Sequence, residues 1–348
     1  MINSHEKKEK TMKKILISPE KQQFKANFHS HSTHSDGALT PAQLKEMYKS
    51  RGYDILAVTD HCHPYAHQEF SDPDFLMLTG YEIYIRESGG PFDPFKSEVH
   101  LNLFARDPMN ETLVCYDPRY VKYIPATRLA AMKRVGDDGA REYTREYINK
   151  FIKIAVDNGY LVAYNHPYWS MESEADVLAL ENLHSLELRN TGSYNANRLE
   201  CAEMLYDAML RRGMRLGVHA GDDNHNRYPE GHVWFDSFGW YTVVLADSLT
   251  YSDVFSAIEA KDTYVSNGPT IRSLYIEDGR VIVECSAAEE AYLYCGSKEP
   301  GAKRMPKGQT AERFEFKLDD RMKYIRVSVY DTEGRAANTR GFFRDEWS

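Results

Sequence analysis

The chain has 348 residues, with 43 Lys and Arg against 52 Asp and Glu, so its formal charge is −9. This length suggests one large domain with a smaller one, or two of similar size, and a hydrophobic share of 42% disfavours disorder. The acidic balance argues against broad electrostatic binding to nucleic acid or to an anionic membrane, because both partners favour a basic surface.

The five cysteines are odd in number and form no CxxC pair, which indicates a reducing compartment and no zinc knuckle. No apolar run approaches the ~20 residues of a membrane span, and the Lys/Glu-rich start lacks a secretory core. We therefore expect a cytoplasmic protein without a membrane partner. Residues 1–20 have the composition of a flexible tail, which could also be a partner-binding arm.

From Phe24 the chain alternates short apolar runs with segments of helical period, a pattern typical of strands followed by crossover helices. The clearest helix start is Thr40-Pro41-Ala42-Gln43, in which Thr40 is the predicted N-cap and Gln43 can close a capping box. Further helices are predicted over residues 142–157, 175–183 and 198–212. Eight strands are predicted, one ending at Phe28 and the others over residues 54–60, 75–79, 99–104, 161–164, 185–189, 216–218 and 241–245.

Repeated strand–helix units of this number predict an α/β barrel. After Asn267-Gly268-Pro269 the pattern changes to short alternating runs separated by turns, over residues 271–276, 281–285, 291–294, 314–318 and 324–330. We therefore predict a barrel over residues 21–268 and a small C-terminal all-β, sandwich-like domain over residues 269–348. The second domain is expected to have a structural or specificity role. The stretch 107–141 is interpreted as a connecting helix or a substrate-covering lid.

Six histidines and three carboxylates follow the predicted strands, most of them at carboxyl ends and one, His100, within the fourth strand: His29, His31, Asp36, His61, Glu82, His100, His166, Asp223 and His225. In an α/β barrel the carboxyl ends of the strands converge on one mouth. Imidazole nitrogens and carboxylate oxygens together suit Zn, Mn or Fe, and residues two apart on an extended segment can bind one ion. The pattern therefore predicts a transition-metal site.

These residues also carry a family resemblance. The blocks His29-Ser-His31-Ser-Thr-His-Ser-Asp36-Gly, Thr59-Asp60-His61, Gly80-Tyr-Glu82, His100, Asn165-His166-Pro167 and Asp223-Asn-His225 resemble, in order, the motifs of the PHP (polymerase and histidinol phosphatase) superfamily over about residues 24–268. The resemblance implies a distorted (β/α)7 barrel, one strand fewer than the pattern predicts, and a trinuclear metal site.

The resemblance also implies how the ligands are shared. The first ion would be bound by His29, His31, Glu82 and Asp223, with Glu82 bridging to a second ion held by His100 and His166. The third would be bound by Asp36, His61 and His225. Asp60 is expected to orient its neighbour rather than bind metal.

Charge then indicates the substrate. Three divalent ions contribute roughly +6, and three carboxylates with one bridging hydroxide about −4, leaving about +2 for a phosphate ester dianion. Two ions can lower the pKa of a bridging water while a third stabilises the leaving oxygen, and the family's phosphoesterase activity fits. We expect a metal-dependent phosphoric ester hydrolase with two to three Mn, Zn or Fe ions, no catalytic group beyond the metal-bound hydroxide, and a small phosphate ester or nucleotide as substrate.

Four further residues are candidates for substrate binding, namely Arg227, His63, His219 and Asn190. A guanidinium can grip phosphate bidentately, although a surface salt bridge fits Arg227 equally well and a core position fits His219. His5, His34, His184 and His232 are expected to be structural.

Two rival functions stay open. One is an exonuclease acting on short oligonucleotides, which the acidic charge disfavours; no stable nucleic-acid partner is expected. The other is a non-catalytic, metal-stabilised binding module. Amidohydrolases also use His-x-His on a barrel, but the pattern of Asp36, Glu82 and Asp223-x-His225 fits them less well.

Overall fold

The computed structural model describes residues 13–299 and 301–347, which divide into two compact units. One unit covers Lys21–Asn267. The other combines the described residues up to Glu20 with those from Gly268 onward, so the division falls next to the boundary predicted near residue 269.

The first strand, β1 (Lys14–Ile17), belongs to the second unit and lies within the segment predicted to be a flexible tail. It pairs antiparallel with residues 271–277. Ile15 and Ile17 are two residues apart and would share one side of a regular strand, but the register shifts between them, and Ile17 is buried while Ile15 is 51% exposed. Part of the segment predicted as a flexible tail therefore forms a strand, and residues 1–12 lie outside the described part of the chain.

The unit Lys21–Asn267 contains strands and helices in alternation. Its strands are β2 (Gln22–Asn27), β3 (Ile55–Val58), β4 (Leu76–Arg86), β5 (Glu98–Ala105), β6 (Leu113–Val114), β7 (Arg134–Val135), β8 (Tyr160–Tyr164), β9 (Ser185–Asn190), β10 (Gly217–Gly221), β11 (Tyr241–Ala246) and β12 (Thr263–Ser266). Its helices are α1 (Pro41–Lys49), α2 (Ala126–Ala131), α3 (Arg145–Asp157), α4 (Glu174–Val177), α5 (Thr191–Asn197), α6 (Glu203–Arg211) and α7 (Tyr251–Glu259), with a 3-10 turn at Gln68–Phe70. Each of the eight predicted strands is present, and the capping box of Thr40 and Gln43 forms at α1.

The main sheet of this unit has the order β10-β9-β8-β5-β4-β3-β2-β11-β12. Neighbours are parallel from β2 to β4 and from β8 to β10, but β5 is antiparallel to both β4 and β8. The link from β4 to β5, residues 87–97, contains no helix, and a parallel pair needs a crossover, usually a helix. The predicted series of strand–helix units is therefore interrupted here, which gives a mixed sheet.

The two ends of this sheet approach each other through threonine side chains. Thr242 Oγ1 on β11 accepts from the backbone N of Ala220 and donates to its carbonyl on β10, both at 2.9 Å. Thr263 Oγ1 on β12 donates to the carbonyl of Val218 at 2.8 Å. The structure thus has a mixed α/β fold with a large sheet, and no backbone ladder among the described residues closes that sheet into the predicted barrel.

The buried strand β3 shows how the core is built. Successive side chains point to opposite faces, so Ile55 and Ala57 pack in one apolar cluster with β2, β11 and α7. Leu56 and Val58 pack in another, with α1. An uninterrupted apolar run is therefore required because both faces of the strand are covered.

The second unit is built almost entirely from strands. They are β1, β13 (Ile271–Glu277), β14 (Arg280–Ala288), β15 (Glu290–Tyr294), β16 (Gly301–Arg304), β17 (Ala311–Lys317), β18 (Tyr324–Tyr330), β19 (Ala336–Thr339) and β20 (Phe342–Phe343), followed by the short helix α8 (Arg344–Trp347). One sheet has the order β1-β13-β14-β17, and in the other β18 lies between β15 and β19, with β16 beyond β15 and β20 paired to β18. The five predicted C-terminal runs all lie on these strands. None of the described helices has the length and apolar character of a membrane span.

Replacing Thr242 with Val tests the threonine contact between the sheet ends. The Thr242→Val variant keeps the side-chain shape but leaves a buried N–H and a buried carbonyl of Ala220 without their partner. We expect the free energy of unfolding to fall by about 1–3 kcal/mol, measured by denaturant titration. Thr127→Val, at an exposed helical position, is the control, and equal stability of the two variants would contradict the bridging role.

Candidate functional site

One cavity, of about 640 Å³, contains most of the predicted metal ligands. Seven of the nine line it, namely Asp36, His61, Glu82, His100, His166, Asp223 and His225. The other two, His29 and His31, are completely buried and contact the lining residues Glu82 and Asp223. The structure therefore brings all nine predicted residues together.

The strand directions explain this convergence. His29, His61, His166 and Asp223 each follow the carboxyl end of a parallel strand, where neighbouring strands end at one edge. His100 lies near the amino end of β5, and because β5 runs in the opposite direction its start reaches the same edge.

The position of Glu82 differs from the prediction. The third strand was predicted over residues 75–79, with Glu82 beyond its end, but β4 continues to Arg86 and places Glu82 inside the strand. The strand is longer because β5 pairs with residues 80–86, register Gly80↔Phe104 to Arg86↔Glu98. Pairing with a later segment is a long-range contact that local periodicity does not reveal.

The buried carboxylate of Glu82 is the centre of the cluster. It accepts hydrogen bonds from His100 Nδ1 at 2.9 Å and from Asn165 Nδ2 at 3.0 Å. His61 Nδ1 lies 2.8 Å from Oε2. Three more imidazole nitrogens lie 3.3, 3.6 and 3.4 Å from its oxygens, those of His29, His31 and His166.

Two further carboxylates extend the cluster on either side of Glu82. Asp223 Oδ1 accepts from His31 Nε2 at 2.9 Å and lies 3.3 Å from His29 Nε2. Asp36 Oδ1 lies 3.3 Å from His225 Nε2 and 3.7 Å from His61 Nε2.

Three groups of donor atoms are close enough to share an ion, each with its atoms within 4.8 Å of one another. They are His29 with Glu82 and His166, His29 with His31 and Asp223, and His31 with Asp36, His61 and His225. The first two overlap the sets that the resemblance implies for two of the ions. The third adds His31 to the implied set, and His100 contacts Glu82 without joining a group.

Several atoms of the cluster have no hydrogen-bond partner within residues 13–299 and 301–347. They are buried, and they include His29 Nε2, His31 Nδ1 and His100 Nε2. An unpaired buried polar atom costs ~1–3 kcal/mol, and coordination to a cation would satisfy several at once. The donor set, rich in imidazole with three carboxylates, fits divalent Zn, Mn or Fe.

The titration of the imidazoles reflects the charge of the cluster. Burial disfavours a charged ring, yet the carboxylates of Glu82 and Glu98 raise the pKa of His100 to about 10. Against burial, the hydrogen bond to Asp36 raises the pKa of His225 to about 9. Burial, together with the rings of His61 and His225, lowers the pKa of His31 to about 4. The carboxylates thus stabilise positively charged imidazoles in the buried site. A bound metal cation would supply that positive charge instead.

Glu187 supports the cluster from behind and was missed by the sequence analysis. Fully buried on β9, it accepts from His29 Nδ1 at 3.0 Å, from the backbone N of His166 at 3.0 Å and from Asn190 Nδ2 at 2.9 Å. The bond from Nδ1 leaves the Nε2 lone pair of His29 directed at the site. The available signal was a Glu flanked by Leu186 and Leu188 in the middle of a predicted strand.

Two more aspartates hold the loops that carry the ligands. Asp222, which was also missed, accepts from Tyr48 OH at 2.8 Å and from Thr191 Oγ1 at 2.7 Å, and burial raises the pKa of its carboxyl group to about 6. Asp60 accepts from the backbone N of Ser32 at 2.8 Å and from Ser35 Oγ at 2.6 Å. These bonds join the segment after β2 to the end of β3.

The backbone at the site adopts conformations and close approaches that most residues do not allow. His166 and Asp223 have φ of 24° and 52°, in the left-handed region that costs non-glycine residues about 1–3 kcal/mol. At Gly221 an added Cβ would lie 2.4 Å from His29 Cβ, so only glycine allows β10 to pass this close to the ligand.

The four predicted substrate residues differ in their positions. Arg227 lines the cavity and donates to Asp36 Oδ2 at 2.8 Å. His63, His219 and Asn190 are buried and do not line it. His219 lies between Phe28 and Phe104 with a hydrogen bond to Ser185, which favours the core position that the sequence left open.

The roles of Asn190 and His63 also change. Asn190 donates to Glu187 and to Asp223 at 2.9 and 3.3 Å, so its side chain contacts a predicted metal ligand. His63 Nδ1 donates to the carbonyl of His34 at 2.9 Å. Both residues were assigned from their place near strand ends, which does not say on which side of a loop a side chain lies.

Aromatic residues form much of the cavity wall, and sequence analysis did not identify them as a group. They are Tyr84, Phe92, Tyr123, Trp169, Tyr228 and Trp234. Trp169 lies edge-on to His100 and His166, with ring centroids 5.4 and 5.1 Å away. Because these residues come from separate strands and loops, no local spacing relates them.

Several solved structures are similar to this chain. A two-domain protein of Bacteroides vulgatus, described as containing a predicted PHP-like metal-dependent phosphoesterase, is 13% identical, with 94% of this chain and 98% of that chain covered and a TM-score of 0.46. A protein of Bifidobacterium adolescentis assigned as a metal-dependent phosphoesterase is 18% identical, with coverages of 68% and 96% and a TM-score of 0.38.

A third similar structure is an amidohydrolase from Chromobacterium violaceum with bound sulfate and no metal. It is 15% identical, with 68% of this chain and 96% of that chain covered and a TM-score of 0.41. No protein-family model matches the sequence, and no curated protein matches it. The case for function therefore rests on the residues of the cavity.

The Glu187→Gln variant tests the support behind the cluster. Glutamine keeps the shape but replaces one accepting oxygen with an NH₂ group, so either His29 or the backbone of His166 loses its partner. Zinc affinity should fall by about 10–100-fold, as for other groups that orient metal ligands, measured by competition with a chromogenic chelator. Glu181→Gln, at an exposed position, should bind zinc like the unmodified protein, and unchanged affinity in Glu187→Gln would refute this role.

Proposed function

We propose that the protein is a metal-dependent phosphoesterase that hydrolyses a small phosphate ester or nucleotide. The observation that carries this proposal is the convergence of six imidazoles and three carboxylates on one cavity, beside the guanidinium groups of Arg86 and Arg227. A scaffold role alone would not require so many ligands around an accessible cavity.

The ligands divide around Glu82, whose two oxygens face different imidazoles. Two to three divalent Mn, Zn or Fe ions would be held by the nine predicted residues, in the three groups described above. When bound, such ions supply Lewis acidity, lowering the pKa of water and offsetting charge on a phosphoryl group. The chain itself supplies the orientation: Glu187 and Asn165 fix the ring of His29 and the carboxylate of Glu82.

The cavity wall would favour binding of an anionic substrate only when cations are also bound. Its lining holds five carboxylates and two guanidinium groups, a net negative balance when the imidazoles are neutral. A phosphate dianion would be repelled by this wall, and bound divalent ions reverse the sign. The cavity is therefore suited to a substrate whose binding depends on metal.

Arg227 is positioned to bind phosphate. Its side chain is 58% exposed, and one nitrogen donates to Asp36 Oδ2, which leaves other donors of the planar group for a bidentate contact. Arg86 is held by Glu98 at 2.6 Å and stacks over Tyr84 at 4.4 Å. It bounds the cavity from another side.

The aromatic wall suits a flat leaving group. Tyr84 stacks on His100 at a centroid distance of 5.4 Å and lies edge-on to His61 at 5.3 Å, so an apolar surface adjoins the ligand cluster. Phe92 stacks near Trp169 at 6.3 Å. Such rings exclude water and can stack on an aryl group or a nucleobase, which favours aryl phosphates and nucleotides within the proposed class.

Replacing ligands tests this function. Wild-type protein loaded with Mn²⁺ or Zn²⁺ should release phosphate from p-nitrophenyl phosphate or a mononucleotide, and chelator should abolish the release. Asp223→Ala and His166→Ala should each lower kcat/KM by more than about 100-fold, since loss of an outer partner alone costs about 10–100-fold. Phosphate release and metal content are measured together.

Asp157→Ala, at an exposed helix end, and His184→Ala, away from the cluster, are the matched controls and should retain activity. Full activity of Asp223→Ala would overturn the mechanism. Faster turnover of a short single-stranded oligonucleotide than of a mononucleotide would favour the exonuclease, and hydrolysis of amides alone would favour an amidohydrolase. No turnover of any ester by metal-loaded protein would favour a binding module.

Arg227 is tested by a split between kinetic constants. Arg227→Ala removes a charged hydrogen-bond donor worth about 1.5–3 kcal/mol, so kcat/KM should fall by about 10–150-fold, mainly through a higher KM. Arg227→Lys should restore part of this loss. Metal content should be unchanged; a loss of metal in Arg227→Ala would instead assign Arg227 to positioning Asp36.

A further inference from the structure

A second histidine cluster lies on the two loops that follow β2 and β3. His34 is on the first loop, and Asp60, His63 and His67 are on the second. One nitrogen of His34, one nitrogen of His67 and one oxygen of Asp60 lie within 4.8 Å of one another. None of these four residues lines the cavity described above, so the cluster is separate from the proposed catalytic site.

His67 is the residue that most needs a partner. It is 3% exposed, and neither ring nitrogen has a hydrogen-bond partner in the described part of the chain. The same holds for His34 Nδ1 and His63 Nε2. Buried polar atoms are almost always paired, so three neighbouring imidazoles with unpaired nitrogens point to a bound group rather than to packing alone.

Asp60 has capacity for one more contact. Its carboxylate, which is 1% exposed, accepts from the backbone N of Ser32 at 2.8 Å, from Ser32 Oγ at 2.6 Å and from Ser35 Oγ at 2.6 Å. An ionised carboxylate offers about four acceptor sites. Three hydrogen bonds therefore fix its orientation and leave an oxygen lone pair for a cation.

The rings around the cluster are held in place. His63 Nδ1 donates to the carbonyl of His34 at 2.9 Å, and the rings of His34 and His67 are stacked with centroids 5.3 Å apart. Tyr65 covers His67 at 4.5 Å. The guanidinium of Arg128 lies over Tyr65, but it pairs with Glu111 at 2.9 Å, so its charge is largely compensated.

The backbone at His67 has a conformation that non-glycine residues rarely adopt. Its φ is 51°, in the left-handed region. His67 precedes the 3-10 turn Gln68–Phe70, and its side chain makes no capping hydrogen bond to that turn. The proposed ligands His166 and Asp223 share this strained conformation.

We propose that His34, Asp60 and His67 form a separate site for one divalent transition-metal ion. Two imidazoles and one carboxylate suit Zn, Mn or Fe, and His63 is a positioning residue that holds the His34 backbone. The ion would join the loop that carries Asp36 to the loop that carries His61. It would therefore stabilise one edge of the principal cluster. From the sequence, His34 was expected to be structural and Asp60 to orient its neighbour; in this proposal both are metal ligands.

Metal counting separates this site from the principal cluster. The full chain is stripped with chelator, reloaded with Zn²⁺ alone, freed of excess metal and assayed by elemental analysis. The quadruple variant Asp36→Ala/His166→Ala/Asp223→Ala/His225→Ala, which removes at least one residue from each of the three groups of the principal cluster, should retain one tightly bound zinc per chain. Adding His67→Ala should remove that zinc, whereas adding His184→Ala, which deletes an imidazole bonded to the carbonyl of Ile258, should not.

A crystal of the zinc-loaded wild-type protein gives a result that does not depend on how the variants fold. Anomalous scattering at the zinc edge should show a peak among His34, Asp60 and His67, apart from any peaks around Glu82. Absence of that peak, or equal zinc content with and without His67→Ala, would overturn the proposal. Because this readout is the position and number of ions, it holds whether or not the protein hydrolyses phosphate esters.

Discussion

The burial of one carboxylate among five imidazoles is the constraint on which the site depends. Glu82 is inaccessible to solvent, and a buried charge is stable only when it is paired and hydrogen-bonded. His100 and Asn165 supply hydrogen bonds, while the remaining rings approach its oxygens without satisfying them all. The fold must therefore hold several strand ends around this carboxylate, and the proposed cations would complete the balance of charge.

The mixed sheet meets this requirement. Reversal of β5 brings the start of that strand to the edge where the parallel strands end, so His100 joins ligands that follow β2, β3, β8 and β10. Behind them, the carboxylates of Glu187 and Asp222 accept bonds from the ligand loops and from α1. Positive φ at His166 and Asp223 shows that these contacts outweigh local backbone preference.

The two histidine clusters share the loops after β2 and β3. Asp36 and His34 lie on the first loop, and His61 and His67 on the second, so contacts in one cluster constrain the other. Asp60 links them directly, since it bonds Ser32 and Ser35 between His31 and Asp36. A structural ion beside a catalytic one would hold the ligand geometry without entering the cavity.

Local periodicity and the spacing of His, Asp and Glu residues are properties of short segments, so they were enough to predict the strands and nine candidate metal ligands. The extension of β4 through Glu82, the mixed sheet and the support of His29 by Glu187 became visible only in three dimensions. The structure also shows that His219 lies in the core and that His34 and His67 both lie close to Asp60. These outcomes depend on contacts between residues far apart in the chain, and a one-dimensional pattern contains no information on which side of a loop a side chain will lie.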